Sequence, residues 1–187
     1  MQTDFAVELG VDDETLEVPW SGPADHPRYF DLKRQPELLN DLPEAKSFPE
    51  LAAFLRALNS AASLLETAKC DAWATTEMSV EDEIFGASTK FGSYVDFLFS
   101  TPSHFSFPEH EHFVKHLVGL LARAPELPAA AEFMVRRCFY GQSGETGFYF
   151  SCYVFGYGDD ETQARQRWGI ALSLVENAIR QATATKS

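Results

Sequence analysis

Positive charge is scarce in this chain. It carries 15 Lys and Arg against 28 Asp and Glu, for a formal net charge of −13. Neutralising nucleic-acid phosphates needs clustered cations, and no basic stripe occurs, so nucleic acid is not an expected partner. An anionic membrane surface is not expected either, for the same electrostatic reason. Cysteine is nearly missing: Cys70, Cys138 and Cys152 are the only three. An odd count without CxxC or Cys/His spacing does not make a disulfide framework or a zinc finger. All three fall in strand-like runs, where a free thiol behaves as a small hydrophobe, and a reducing compartment follows as the expectation. Long apolar runs are lacking as well. No stretch of about 18 uncharged apolar residues exists to span a bilayer. Met1–Phe5 has neither a basic nor an apolar character, so no signal peptide is expected and the protein reads as cytoplasmic. The GxSxG elbow, the P-loop and the EF-hand loop are all absent, which removes the usual sequence routes to a catalytic or cofactor assignment.

What is present is aromatic and periodic. Sixteen Phe, six Tyr and three Trp lie in 187 residues, with 45% of the chain apolar. That length fits one domain with an ordinary core rich in rings. The phrase Ser47-Phe48-Pro49-Glu50, followed by Phe54, recurs as Ser106-Phe107-Pro108-Glu109, followed by Phe113. Each copy reads as an N-cap with its capping-box glutamate, opening an amphipathic helix. The first helix is expected over Phe48–Thr67 with Leu51, Phe54, Leu55, Leu58, Ala62 and Leu65 as its stripe. The second is expected from Ser106 to Ala124 with Phe113, Val114, Leu117, Leu120 and Leu121.

Two strand-like runs follow each helix: Lys69–Met78 and Thr89–Ser100, then Ala131–Tyr140 and Thr146–Tyr157. In each, side chains alternate between an apolar set and a mixed set, the pattern of a sheet with one face on a core. A last helix begins at Asp159-Asp160-Glu161, whose charges suit a helix start, and buries Ala164, Trp168, Ala171, Leu172, Val175, Ala178 and Ile179.

Residues 1–46 differ in texture and hold five of the ten prolines. Phe5–Leu9 and Thr15–Trp20 flank Gly10-Val11-Asp12-Asp13 and predict a hairpin. Ser21–Pro27 reads as a loop and Arg28–Leu32 as a further short strand. This arm is too small for its own core and is expected to wrap the main body through Trp20, Tyr29 and Phe30.

The expected architecture is therefore α+β. A single domain, 1–187, holds an antiparallel sheet of at least four strands with helices on one face. It is built from two tandem helix–strand–strand units and a C-terminal helix over 47–183. If Arg28–Leu32 joins the sheet, the order contains the ferredoxin-like βαββαβ unit. In shape and charge alone the plan resembles that of small acidic secretion chaperones.

Three constellations stand out. Four of the five histidines are His104, His110, His112 and His116. His112 and His116 share a helix face at i, i+4, but HExxH is absent and both match outward positions of the first helix. His110 matches core-facing Leu51, so the cluster reads as structure and surface, with no metal site expected. Gly156-Tyr157-Gly158 precedes a helix, but three carboxylates follow where a phosphate would sit. The third is the sheet face opposite the helices: Asp71, Trp73, Glu77, Tyr94, Asp96, Arg136 (or Arg137, depending on register), Tyr149 and Tyr153, with Ser151 among them. Rings interleaved with charges make a ligand floor, a partner groove or a seam between two copies, unless the arm folds over them. The expected function is an acidic binding or interaction module that self-associates or takes a protein partner. It is not expected to be an enzyme or to carry a cofactor. The alternative is a small-molecule enzyme or sensor using Asp71, Glu77 or Asp96 as its acid or base.

Overall fold

The computed structural model describes residues 1–21, 29–100 and 106–184. The chain runs β1 (Gln2–Glu8), β2 (Thr15–Val18), α1 (Pro43–Ser47), α2 (Pro49–Leu58), β3 (Leu65–Thr75), β4 (Thr89–Phe99), α3 (Phe107–Leu121), β5 (Ala129–Tyr140), β6 (Glu145–Gly158) and α4 (Glu161–Ala184). Short 3₁₀ turns cover Pro36–Asn40 and Glu81–Phe85. The fold is α+β. Its six strands form one sheet in the order β1-β5-β6-β4-β3, with β2 also seated on β5. The four strands expected from alternation make three antiparallel pairings, β3–β4, β4–β6 and β5–β6, but the sheet is mixed, because β1 and β2 both run parallel to β5.

The hairpin predicted around Gly10–Asp13 does not form. β1 lies along Ala130–Arg136 and β2 along Arg137–Tyr140, so the two stand end to end on the same edge. The segment between them is a sideways step, held by the Gly10 amide donating to Asp13 and by Arg137 donating to the Gly10 carbonyl at 3.2 Å. The open edge of β5 supplies partners to both runs, which a two-stranded ribbon would not. Tyr29–Leu32 forms no strand; Arg28 and the loop residues 22–27 lie outside the described residues.

The first helix is shorter than its periodicity predicts. α2 stops at Leu58 and residues 65–67 already belong to β3. Buried Asn59 causes the stop. Its amide nitrogen donates to Leu55 O and to Thr67 Oγ1 (both 2.8 Å), and its oxygen accepts from Thr67 N at 3.0 Å. Lys33, far away in sequence, donates to the carbonyls of Ser60, Ser63 and Leu65. The repeated tetrapeptide also opens its two helices differently. Ser106 caps α3 by accepting from Glu109 N, as predicted. Ser47 instead ends α1, and Glu50 turns away to pair with Arg165 of α4 at 2.8 Å.

The inner sheet face meets α2, α3 and α4. Phe91, Val95, Phe97 and Phe99 of β4 join Phe133 and Val135 of β5 and Phe150, Cys152 and Val154 of β6 in one core. Phe97 stacks on Phe150 with centroids 5.1 Å apart. Each such ring contributes on the order of 2–3 kcal/mol by leaving water. Trp168 of α4 is fully buried and satisfies its indole N–H on Ser93 Oγ at 2.9 Å. Gly156 and Gly158 are the reason α4 sits so close. A Cβ at either would collide with the backbone of residues 163–168, so these glycines serve helix packing and not an anion. Asp160 accepts from Gln163 N at 2.8 Å and starts α4 as a capping residue.

Candidate functional site: the outer sheet face

Strand alternation sends one set of side chains to the helices and the other set outward. The registers bring the outward set together: Trp73 of β3, Lys90, Tyr94 and Asp96 of β4, Glu132, Met134 and Arg136 of β5, and Tyr149 through Tyr157 at odd positions of β6. This face has three zones.

The first zone is covered. Leu16 and Val18 of β2 pack with Ala68, Leu98, Cys138 and Tyr149, and Trp20, Tyr29 and Tyr140 close over them. Trp20 donates its indole N–H to Ala68 O at 2.8 Å. Tyr149 is 1% exposed, and burial pushes its phenol well above the usual range. The N-terminal arm therefore covers this part of the face, with Trp20 among the covering residues. Phe30 does not take part; it packs against the main core instead.

The second zone is a polar seam. Asp96 is 5% exposed and accepts from the Ser151 hydroxyl at 2.6 Å. Arg136 donates to Ser151 Oγ at 3.3 Å and to the Tyr153 hydroxyl at 3.5 Å, and pairs with Glu8 of β1 at 2.7 Å. Burial raises the Asp96 carboxyl to about 6, against the opposing pull of Ser151, Lys69 and Arg136. Lys69 reaches Glu14 at 3.6 Å and lies 5.4 Å from the Trp20 ring.

The third zone is open. Trp73, Tyr94, Tyr153 and Phe155 are each half-buried. Their rings follow one another, with centroids 6.5 Å apart for Trp73–Tyr94, 5.8 Å for Tyr94–Tyr153 and 6.4 Å for Tyr153–Phe155. Gly92 lies beneath them; a Cβ there would come within 2.8 Å of the Phe155 ring, so the glycine makes room for the aromatic layer. At the far end the Glu81–Phe85 turn straps across β6. Phe85 stacks on Tyr157 at 3.9 Å, and Asp82 accepts from the Tyr157 hydroxyl and from Lys90 Nζ, both at 2.6 Å. Burial pulls the Asp82 carboxyl upward, but hydrogen bonds from Lys90, Tyr157 and Ser79 outweigh it and leave it at about 2. Between this strap and β1 is a cavity of about 420 Å³, with Asp4, Lys90, Glu132, Met134, Phe155 and Tyr157 among its walls.

Of the residues singled out in sequence, Trp73, Tyr94 and Tyr153 come together, and Asp96 and Arg136 are joined through Ser151. Tyr149 lies on the same face but under the arm. Asp71 is exposed, its carboxylate accepting from Ala72 N, and Glu77 is exposed beyond the end of β3, so neither joins the group. The cavity residues Asp4, Glu132, Met134, Phe155 and Tyr157 were not among them. Phe155 and Tyr157 extend the β6 alternation, and 132, 134 and 136 alternate along β5, so that much had a signal. Asp4 had none, because nothing local ties β1 to β5.

The histidines do not form a site with these residues. His110 is fully buried, with Nδ1 2.8 Å from Ser106 O and its ring edge-on to Phe99; His112 and His116 are exposed. His104 lies outside the described residues. Among the described residues no group of three or more His, Cys, Asp or Glu is arranged to hold a metal ion, and no helix is long and apolar enough to cross a membrane. Comparison with protein-family models, curated proteins and solved structures finds no match, so the reading of this face rests on its geometry.

Proposed function

We propose that the chain is a non-catalytic binding module that takes a small ligand in the open zone of its outer sheet face. The observation that carries this is the cavity of about 420 Å³ at the end of a row of half-buried rings. Its size lies within the ordinary range for small-molecule sites, and its mixture of rings, a thioether and a few charges suits one. The two helix–strand–strand segments support the reading as scaffold. Taken as tandem units, they meet through β4 and β6, and the inner strands of both units carry the rings.

On the strap side the chemistry of the walls argues against catalysis. Asp82 is held ionised by three donors, and Lys90 is committed to Asp82. Of the two carboxyls that burial raises, Glu132 lines the cavity and carries the second reading, an acid–base site; Asp96 is at the seam, bonded to Ser151, and does not line it. A base needs to reach the proton it removes.

Methyl-labelled methionine gives a direct test, because Met134 lines the cavity and only three methionines exist. A fragment library screened by NMR is expected to contain compounds that move the Met134 methyl signal and leave Met78 still. If no fragment moves Met134, or if those that stabilise the protein against heat leave it unmoved, the proposal fails.

A further inference from the structure

Resting on that reading, we infer that the cavity takes a small organic cation: an amine or guanidinium carried on a short apolar body.

The first argument is the charge left over after internal pairing. Asp4, Glu81, Asp82 and Glu132 line the cavity, and Lys90 is the cation among them. Lys90 is already paired with Asp82 at 2.6 Å. Asp4 and Glu132 are direct partners in the β1–β5 register, so their side chains leave the sheet next to each other on one face. Like charges at such positions repel. Glu132 makes no ion pair among the described residues. Its carboxyl is raised above the usual range by burial first and by neighbouring Asp82, with Asp4 and Glu81 adding to it, against the opposing pull of Lys90. A cation placed between Asp4 and Glu132 would turn that repulsion into attraction.

The second argument is the aromatic wall, which is independent of the carboxylates. Ring faces are negative and attract cations within about 6 Å of the centroid. Phe155 already receives one, because Lys90 Nζ lies 5.1 Å from its centroid. The protein thus uses a cation, ring and carboxylate arrangement of its own on one side of the cavity. On the other side Glu132 and Asp4 line the cavity with Met134 and Ala6, and among the described residues neither carboxylate is in an ion pair. Met134, Ala6 and Ala130 offer apolar contact for the body of the ligand. An anion would face both the carboxylates and the ring faces. The net charge of −13 raises the concentration of cations near the whole surface.

Three probes with one ring and a similar chain separate the possibilities: phenethylamine, 2-phenylethanol and 3-phenylpropanoate, each titrated against the Met134 methyl signal. Phenethylamine is expected to bind at least tenfold tighter than the alcohol, with the carboxylate weakest, and added salt is expected to weaken the amine alone. Glu132→Gln, which keeps the side chain's size and shape, is expected to lower amine affinity about fivefold and leave the alcohol unchanged. If the alcohol or the carboxylate moves Met134 as well as the amine does, or if Glu132→Gln leaves amine binding intact, the inference falls while the binding reading stands. If none of the three moves Met134, the inference falls. A silent fragment screen as well would bring down the binding reading.

Discussion

Tyr149 and Tyr153 leave the same strand on the same face, four residues apart, and meet different surroundings. Tyr149 is closed over by β2, Trp20 and Tyr29, while Tyr153 stays half-buried in an open row of rings. Nothing in β6 itself separates them. The division comes from where the N-terminal arm ends its run along β5: β2 reaches only to the Arg137–Tyr140 end, and β1 lies beside the other end without crossing the sheet. A second sheet face can therefore be core at one end and an open row of rings at the other, with a polar seam between them.

The contrast can be broken most directly by truncation. Tyr149→Ala is expected to cost about 3–4 kcal/mol, as a large buried ring removed from a packed cluster, and Tyr153→Ala about 1 kcal/mol or less. Urea unfolding of both variants reads the difference, and equal losses would mean that the face is not divided. The next effect is at the seam. Asp96 titrates at about 6 when folded against its ordinary value of 3.8, so the folded state holds its proton more tightly. Its unfavourable contribution is absent below about pH 4, grows as pH rises through that window, and is constant above it. Asp96→Asn is therefore expected to stabilise the protein by roughly 2 kcal/mol at pH 8, with the gain vanishing near pH 4. A variant less stable than the parent at pH 8 would show that the charge is compensated. The smallest effect belongs to the strap. Asp82 titrates at about 2, below its usual value, so its contribution is present above about pH 4 and lost as pH falls through 2. Asp82→Asn keeps an acceptor for Tyr157 but removes the charge facing Lys90, and is expected to cost about 1 kcal/mol, mostly local. Hydrogen exchange at residues 80–86 should quicken about fivefold. Unchanged exchange there would detach the strap from the cavity it borders.

The central strands were legible because alternation is a local signal. Phe91, Val95 and Phe97 against Tyr94 and Asp96, or Phe150 and Cys152 against Ser151 and Tyr153, read directly as two faces, and the structure orients them so. α3 and α4 were legible for the same reason. What escaped was decided at a distance. The arm's two runs look like a hairpin until the free edge of β5 is known. The Ala62 and Leu65 positions continue a helical stripe that Asn59 and Lys33 interrupt through contacts with Thr67 and with three carbonyls. Within the candidate site, Trp73, Tyr94 and Tyr153 followed from alternation alone. Asp71 shares that face but stands exposed at the edge strand, and Glu77 falls beyond the last paired residue. The cavity needed the β1–β5 register, which no short-range pattern encodes.

That register has a consequence for how the molecule is made. Glu8 waits for Arg136, which is 128 positions later in the chain. On the ribosome the first strands emerge long before the edge they complete, and contacts of such wide separation close slowly. Both the lid over Tyr149 and the wall that carries Asp4 are therefore late additions to the nascent protein. A permuted chain that places residues 1–20 directly after a new linker from the C-terminal helix would let them dock onto a finished sheet.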